Sequence, residues 1–187
     1  STFAQELAIF IEKQGVKVFL VDNNANLIEQ ARSKGLRATL GDAMDPKLQE
    51  WEEFLEVGYF LALTDNREFN MNLCVHWKYS NESIRTYRWG SVDVNSKNRI
   101  DDRTYGKRIF HDMEKPSLVS RWIDMWILNP ESSPLHNGNE SLLEFACFRN
   151  GRVFLNRDTN KPRNPLPGQM RFFLRRPTEP ISRLLPE

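Results

Sequence analysis

The sequence contains no apolar run that approaches the roughly 20 residues of a membrane-spanning helix. It also opens without a recognisable signal peptide, so we expect a cytoplasmic protein. An excess of one charge is missing too, since 26 Lys and Arg residues stand against 25 Asp and Glu residues, for a net charge of +1. Without a basic field, we expect no binding to nucleic acid or to an anionic membrane surface.

Cysteine and histidine are scarce, with two and three residues in the 187-residue chain. Cys74 and Cys147 lie in apolar segments without the spacing of metal ligands, which predicts two buried thiols in a reducing compartment and no disulfide. His76 shares a predicted helix with Cys74, where core packing is the favoured interpretation. Because His111 and His136 have no convergent partners, we predict no zinc or iron site.

Signatures of catalysis are absent from the sequence as well. There is no Walker motif, no cysteine placed as a nucleophile, and no Ser-His-Asp set with a local signature. The chain also lacks a glycine-rich phosphate loop of the G-x-G-x-x-G type. We therefore predict that the protein is not an enzyme.

The most informative segment that is present covers 16–46, with the sequence VKVFLVDNNANLIEQARSKGLRATLGDAMDP. A β-branched apolar run at 16–21 predicts a strand buried on both faces of a parallel sheet, followed by a helix and a second strand at 37–40. Asp22 ends the first strand and Asp42 the second. In open α/β sheets ligands bind outside the carboxyl ends of strands, where an acid can accept hydrogen bonds from a ribose. This segment therefore predicts nucleotide binding.

Helices and strands alternate through the first half of the chain. Three further helices are predicted: one at 1–14, one that begins at Asp45 and carries an apolar stripe of Leu48, Trp51 and Leu55, and one that begins at a capping box of Asp65 with Glu68. Further strands are predicted at 58–63, 84–89 and 108–110. We interpret 90–107 as a long loop or one weak helix. The alternation is typical of βαβ units and a mostly parallel sheet.

The second half changes character after one more predicted helix. Apolar residues cover nearly the whole circumference of 116–128, so this helix is expected to be buried between domains or subunits. Asn150-Gly151 is a strong hairpin signal between two predicted strands, and a third strand is expected at 170–174. The predicted fold class is α/β: a Rossmann-like, mostly parallel sheet, truncated at its N-terminus, over 1–129, then a linker and a small β-rich C-terminal module over 130–187.

The order of these motifs resembles the RCK/KTN (TrkA-N-like) family, the regulatory nucleotide-binding domains of potassium channels and cation transporters. The resemblance rests on ELAIFIEKQG, VKVFLVDNNANLIEQARSKGL, GDAMDP and FLALTDNREFNMNLC, and covers roughly residues 1–128. The later RIFHDMEKPSLVSRWIDMWIL resembles the last strand and following helix through which such domains pair. The resemblance implies a homodimer through the helix near 116–128, associated at the inner face of the cell membrane with a channel or a cation/proton antiporter.

The resemblance also implies a nucleotide site. Its residues in this chain would be Asp22, Asn23, Asp42, Ala43, Thr64, Asp65 and Asn70. Asp22 would bind the adenosine ribose, and Asp42 with Ala43 would flank the adenine. The implied ligand is NAD(H) or an adenine nucleotide (AMP, ADP or ATP), since an acid at the ribose repels the 2′-phosphate of NADP. Without the glycine-rich turn, we expect pyrophosphate binding to be weak.

Two alternatives remain open for the site and for the function. Asp22 and Asp42 can cap local turns, and Thr64 with Asp65 can cap the following helix. The chain could be a fragment of an NAD-dependent oxidoreductase, which predicts hydride transfer and a larger second domain. It could also be a degenerate Rossmann scaffold that only dimerises, which predicts no nucleotide binding.

Overall fold

Among the described residues, helix and strand alternate as far as residue 89, and the later elements are mainly strands. The computed structural model describes residues 1–90, 102–110, 113, 115–120, 126–129, 142–150, 152–156 and 170–175. The helices are α1 (Thr2–Lys13), α2 (Ala25–Ser33), α3 (Glu52–Leu55), α4 (Arg67–Ser80) and α5 (Pro116–Val119), with a 3₁₀ turn at Pro46–Glu50. The strands are β1 (Leu20–Asp22), β2 (Ala38–Leu40), β3 (Tyr59–Ala62), β4 (Arg85–Trp89), β5 (Lys107–Ile109), β6 (Trp126–Asn129), β7 (Leu142–Arg149), β8 (Arg152–Leu155) and β9 (Met170–Arg175).

Three sheets arise from these strands. β1 pairs in parallel with β2, and β3, β4 and β5 form a second parallel sheet. The C-terminal strands form a four-stranded antiparallel sheet in the order β6-β9-β7-β8. The predicted fold class is therefore confirmed: a Rossmann-like α/β unit with parallel strands and a small antiparallel sheet at the C-terminal end.

Local sequence signals explain where the first two helices begin and end. Ser1 caps α1 by accepting a hydrogen bond from the Ala4 N–H, and Asn24 caps α2 through its side-chain oxygen. Gly15 and Gly35 follow these helices with φ of +79° and +80°, a conformation that glycine adopts without strain.

The helix predicted from Asp45 was wrong in detail. The helix expected from Asp45 divides into the 3₁₀ turn and α3, because Trp51 lies between them in an extended conformation. Its apolar stripe is divided as well: Leu48 is buried, whereas Trp51 and Leu55 are exposed. A helix of two short pieces cannot present one continuous face, and Phe54 supplies the second buried side chain.

The single helix predicted over 116–128 was also wrong. α5 ends at Val119, and Trp126–Asn129 is a strand whose backbone pairs antiparallel with β9. The uninterrupted apolar run at 125–128 is too short to show a period, so it fits a buried strand as well as a helix. Residues 121–125, and most of the predicted loop before β5, lie outside the described residues.

The largest core cluster joins the two ends of the chain. Phe3 and Phe10 of α1 pack with Phe145 of β7 and Phe172 of β9, with Phe3 to Phe145 ring centroids 5.0 Å apart. Phe3 also meets Trp89 edge-on at 4.9 Å. β6 ends at Asn129 and belongs to the C-terminal sheet, and the aromatic core contains residues from both sides of residue 129. The predicted domain boundary at residue 129 stays a prediction.

A cleft separates the two parallel sheets. Among the described strands, β1 pairs only with β2, and β3 pairs only with β4. The cleft has a volume of about 1330 Å³ and contacts every residue of 16–23 and 58–64. Successive side chains of a strand point to opposite faces, so a cleft that contacts all of them runs along strand edges. The predicted burial of the first strand was therefore wrong: Leu20 and Val21 are only half-buried.

Both cysteines are free and buried, as the sequence predicts. Cys74 lies on α4 against β4, where burial raises the pKa of its thiol from 9.0 to about 12. The unfolded chain loses this proton near pH 9 and the folded chain does not, so the unfolded state binds fewer protons above pH 9. Stability therefore falls as the pH rises from about 9 towards 12.

We predict that Cys74→Ala flattens this alkaline loss of stability. Each pH unit above about 9 costs the parent chain up to about 1.4 kcal/mol through this thiol. Urea unfolding at pH 8 and pH 10 measures how the free energy of unfolding changes with pH. Cys147→Ala, which removes the other buried cysteine, is measured for comparison. An unchanged slope in Cys74→Ala would contradict the assignment.

Candidate functional site

The carboxyl ends of β1, β2 and β3 lie along one cleft. Five of the seven residues predicted for the nucleotide site line it: Asp22, Asn23, Asp42, Ala43 and Thr64. Asp65 and Asn70 are outside this lining and contact neighbouring loops instead. The cleft runs along the whole length of both strand edges, from residues 16–18 to residues 22–23, so its volume of about 1330 Å³ is that of the gap between the two sheets, and the predicted site residues lie at one end of it.

Asp22 stands at the end of β1 with one oxygen in a local turn. Its Oδ1 accepts a hydrogen bond of 3.0 Å from the Asn24 N–H, which is the predicted turn-capping role. Its Oδ2 lies 3.6 Å from the Ser1 nitrogen, beside the first turn of α1. Asn23 next to it is exposed. Asp22 thus holds the turn through Oδ1, and its Oδ2 faces the start of α1.

Asp42 and Ala43 form the corresponding turn after β2. The Oδ1 atom of Asp42 accepts a hydrogen bond of 2.9 Å from the Met44 N–H, and its carboxylate is exposed. The Ala43 carbonyl accepts a hydrogen bond of 2.9 Å from the Trp77 indole N–H of α4. This contact fixes the β2 turn against α4, so the small Ala43 side chain stays in place on the cleft wall.

Thr64 and Asn70 form a rigid support after β3. The fully buried Asn70 accepts hydrogen bonds from the Thr64 N–H (3.0 Å) and Oγ1 (2.7 Å), and its amide donates to the Thr64 carbonyl (2.8 Å). The amide also lies 3.5 Å from the Trp89 carbonyl. With its oxygen and nitrogen used internally, Asn70 positions the loop, and Thr64 is the member of the pair that reaches the cleft.

Asp65 makes a different contact from the predicted capping box. The cap of α4 is Asn66, whose side chain accepts a hydrogen bond of 2.9 Å from the Phe69 N–H. The Asp65 carboxylate instead accepts hydrogen bonds from the Ser117 N–H (2.9 Å) and from the Ser117 hydroxyl. Asp65 thereby holds the first turn of α5 against the loop after β3, which the local sequence did not indicate.

A second serine of α5 contacts the start of α1. Ser120 Oγ accepts a hydrogen bond of 3.0 Å from the Phe3 N–H, one of the donors that a helix leaves free at its N-terminus. The same hydroxyl donates to the Pro116 carbonyl at 2.7 Å. Sequence reasoning missed both serines; Pro116 at the first helical position marks the helix start but does not reveal its contacts.

Arg88 on β4 is a fully buried cation close to this end of the sheet. Its Nε donates to the Tyr105 and Gly106 carbonyls at 2.8 and 3.1 Å, and one terminal nitrogen lies 3.7 Å from an Asp102 oxygen. Burial lowers the pKa of Arg88 and the charge of Asp102 opposes this shift. Arg88 does not line the cleft, and its bonds hold the turn before β5.

Within the described part of the chain, no group of three or more His, Cys, Asp and Glu side chains is arranged to hold a metal ion. No helix in the same part is long and apolar enough to cross a bilayer. His111 and His136 lie outside the described residues.

Comparison with known proteins gives one family match. The model of the TrkA-N domain family matches residues 1–100, which is more than half of the 187-residue chain. No curated protein matches the chain. The match covers α1 through β4, including the three strand ends that meet at the cleft. The chain therefore belongs to the TrkA-N domain family, a family of nucleotide-binding domains that is typical of the regulatory parts of potassium channels and transporters.

Proposed function

We propose that this protein is a regulatory domain that gates a potassium channel or a cation/proton antiporter through nucleotide binding, and that it has no enzymatic activity of its own. The observation that carries this proposal is the common cleft. Asp22, Asp42 and Thr64 follow three different parallel strands, and all three line it. Ligands of open α/β sheets bind at the carboxyl ends of such strands.

The ligand that best fits these residues is NAD(H) or an adenine nucleotide. In this proposal Asp22 accepts hydrogen bonds from the ribose hydroxyls and Asp42 with Ala43 flanks the adenine; the support is that all three residues line the cleft. The carboxylate of Asp22 repels a 2′-phosphate, so NADP binds more weakly than NAD. Residues 1–187 contain no glycine-rich phosphate loop, so in this proposal they contribute to binding mainly through the adenosine half of the ligand.

Regulation follows from differential binding to two arrangements of a paired domain. In this proposal two copies associate near 116–128 at the inner face of the membrane, next to the transport protein. A nucleotide that binds one arrangement more tightly shifts the population towards it, and the transport protein responds to that shift. This requires no chemical change in the nucleotide.

We predict that Asp22→Ala weakens adenine nucleotide binding by about 10- to 100-fold, because it removes a charge-assisted acceptor worth roughly 1.5–3 kcal/mol. Thermal shift assays with AMP, ADP, ATP, NAD, NADH and NADP measure the effect. A ligand at 100 times its Kd stabilises the parent chain by about 2.7 kcal/mol. We expect NADP to stabilise it least.

Asp45→Ala is the matched control for this variant. The Asp45 carboxylate accepts a hydrogen bond of 3.0 Å from the Lys47 N–H, the same turn contact that Asp22 makes with the Asn24 N–H. Asp45 is outside the cleft lining. Both variants lose a turn contact, and only Asp22→Ala loses nucleotide stabilisation. If none of the nucleotides stabilises the parent chain, the scaffold interpretation replaces this proposal; turnover of NADH would favour the enzyme.

A further inference from the structure

One face of the β3-β4-β5 sheet is covered near the carboxyl ends of its strands and open near their amino ends. Tyr59 at the start of β3 is the register partner of Arg85 on β4. Two residues further along β4, Tyr87 is the partner of Lys107 on β5. Because side chains alternate along a strand and register partners point the same way, these four residues share one face, and we call them the amino-end patch. Ile109 on the same face is fully buried, whereas Tyr59 is 55% exposed and both cations are exposed.

Tyr59 is held in position from two sides. Its ring stacks on that of Tyr87, with centroids 6.4 Å apart and an angle of 22° between the planes. The guanidinium carbon of Arg85 lies 5.8 Å from the centre of the same ring. A side chain that is already ordered loses little conformational entropy when a partner binds, and Tyr and Arg are enriched among the residues that contribute most to interfaces. The patch therefore has the composition and the order of an interaction surface.

The two cations of the patch are not neutralised by a neighbouring carboxylate. Neither Arg85 nor Lys107 forms an ion pair within the described part of the chain. The acids of α3 belong to the other face of the sheet, because Phe54 of α3 packs against Trp77, on which Phe60 stacks at 4.8 Å. Phe60 directly follows the exposed tyrosine of the patch and so points away from it. The patch therefore presents positive charge beside an exposed aromatic ring.

We propose that the amino-end patch binds an extended polypeptide segment that carries one aromatic and two acidic side chains at alternate positions. Tyr59 and Arg85 are lateral neighbours, and Arg85 and Lys107 are diagonal neighbours about 7–8 Å apart. Side chains on one side of an extended segment recur about every 6.5–7 Å. A segment that crosses the patch diagonally can therefore place its aromatic ring against Tyr59 and one carboxylate near each cation. It binds independently of a nucleotide, because the predicted nucleotide residues lie at the other end of the cleft.

A single-stranded nucleic acid is the competing partner, because it also binds to exposed aromatic rings and cations. Its phosphates recur along the whole strand, so a stretch longer than the patch would meet the glutamates at 52, 53 and 56, which line the same cleft. The chain also has a net charge of only +1 and lacks the basic field of nucleic-acid-binding proteins. A short segment with both acids on one side avoids this repulsion, so the charges favour a polypeptide.

The test is the affinity of the 187-residue chain for a labelled five-residue peptide, measured by fluorescence anisotropy. The peptide has phenylalanine first, glutamate third and fifth, and threonine between them. It should bind about 10-fold more tightly than the same peptide with lysine in place of glutamate, because two attractive charge contacts become repulsive. Arg85→Glu with Lys107→Glu should reverse this preference. Tyr59→Ala should weaken binding of the glutamate peptide about 5-fold and keep the preference.

Lys13→Glu with Lys47→Glu is the matched control. It changes the net charge equally and replaces two exposed cations that lie outside the cleft lining, so it should keep the preference of the parent chain. The proposal is overturned if the glutamate peptide does not bind, if the parent chain binds both peptides equally, or if the control loses binding as the patch variant does. Tighter binding of a five-nucleotide oligouridylate through the same cations would overturn it in favour of a nucleic acid. If the patch double variant does not fold by circular dichroism, Lys107→Glu alone should reduce the preference about 3-fold.

Discussion

Phe3→Ala lowers the free energy of unfolding by about 3–5 kcal/mol, the cost of removing a large aromatic side chain from a close-packed core. Phe3 is fully buried and lies at the centre of an aromatic group from distant parts of the sequence. Its ring is 5.6 Å from that of Phe110 and 5.0 Å from that of Phe145, in addition to the edge-on contact with Trp89. The alanine variant leaves a cavity that these rigid rings cannot fill.

This variant also tests whether the two ends of the chain share one core. Phe145→Ala, which truncates the same cluster from the C-terminal sheet, should cost a similar amount, and in both variants urea should unfold the chain in one transition by circular dichroism and by tryptophan fluorescence. Phe69→Ala is the control, since Phe69 on α4 is 37% exposed and should cost far less. Two separate transitions, with the α/β unit unaffected by Phe145→Ala, would show that the C-terminal sheet folds independently.

Gly106→Ala destabilises the protein by about 3 kcal/mol, because strain and steric overlap act together. Gly106 has a φ of +81°, and a Cβ atom there would lie 2.5 Å from the Sγ and 2.9 Å from the Cβ of Cys74. The turn cannot move aside easily, because Arg88 binds the Tyr105 and Gly106 carbonyls. α4, β4 and β5 would all have to shift to admit one methyl group.

Gly15→Ala serves to separate the backbone strain in Gly106→Ala from the steric overlap with Cys74. Gly15 has a φ of +79°, almost the same backbone conformation, and has no atom within 4 Å of the added Cβ. It therefore reports the backbone strain alone, about 1 kcal/mol. Urea unfolding of both variants gives the difference, which we assign to the overlap with Cys74. Equal losses in the two variants would mean that the close approach of α4 to the β5 turn is not as described.

The α/β part of the fold could be predicted from the sequence because its signals are local. Gly15 and Gly35 end their helices with positive φ, and a β-branched apolar run precedes Asp22, so the types of the first elements followed directly. The hairpin at Asn150-Gly151 was equally predictable, and Asn150 has the positive φ that such turns require.

The errors occurred where tertiary contacts decide the structure. Trp126–Asn129 is a strand because β9, more than forty residues later, supplies its backbone partner, and no local pattern indicates this pairing. Asp65 was assigned to the cap of α4, but Ser117 binds it from a distant element, and Asn66 takes the cap. The half-burial of Leu20 follows from the open edge of β1, which depends on sheet assembly.

For the candidate site, strand ends were predictable and contacts were not. Asp22, Asp42 and Thr64 were placed by their position at the carboxyl ends of predicted strands, and all three line the cleft. Asn70 was predicted as a ligand residue, but it is fully buried and its polar atoms bond to Thr64 and Trp89. Whether any of the seven residues contacts a nucleotide stays a prediction.

The most direct test of the central claim is a titration of the isotopically labelled protein with AMP, followed by amide chemical shifts. AMP carries the adenosine half that these residues are placed to hold. We predict that the largest changes occur at residues 22–24 and 41–44, at the carboxyl ends of β1 and β2, and that Asp22→Ala abolishes them. An unchanged spectrum, or changes confined to the opposite end of the cleft around residues 16–18 and 57–58, would contradict nucleotide binding at this site.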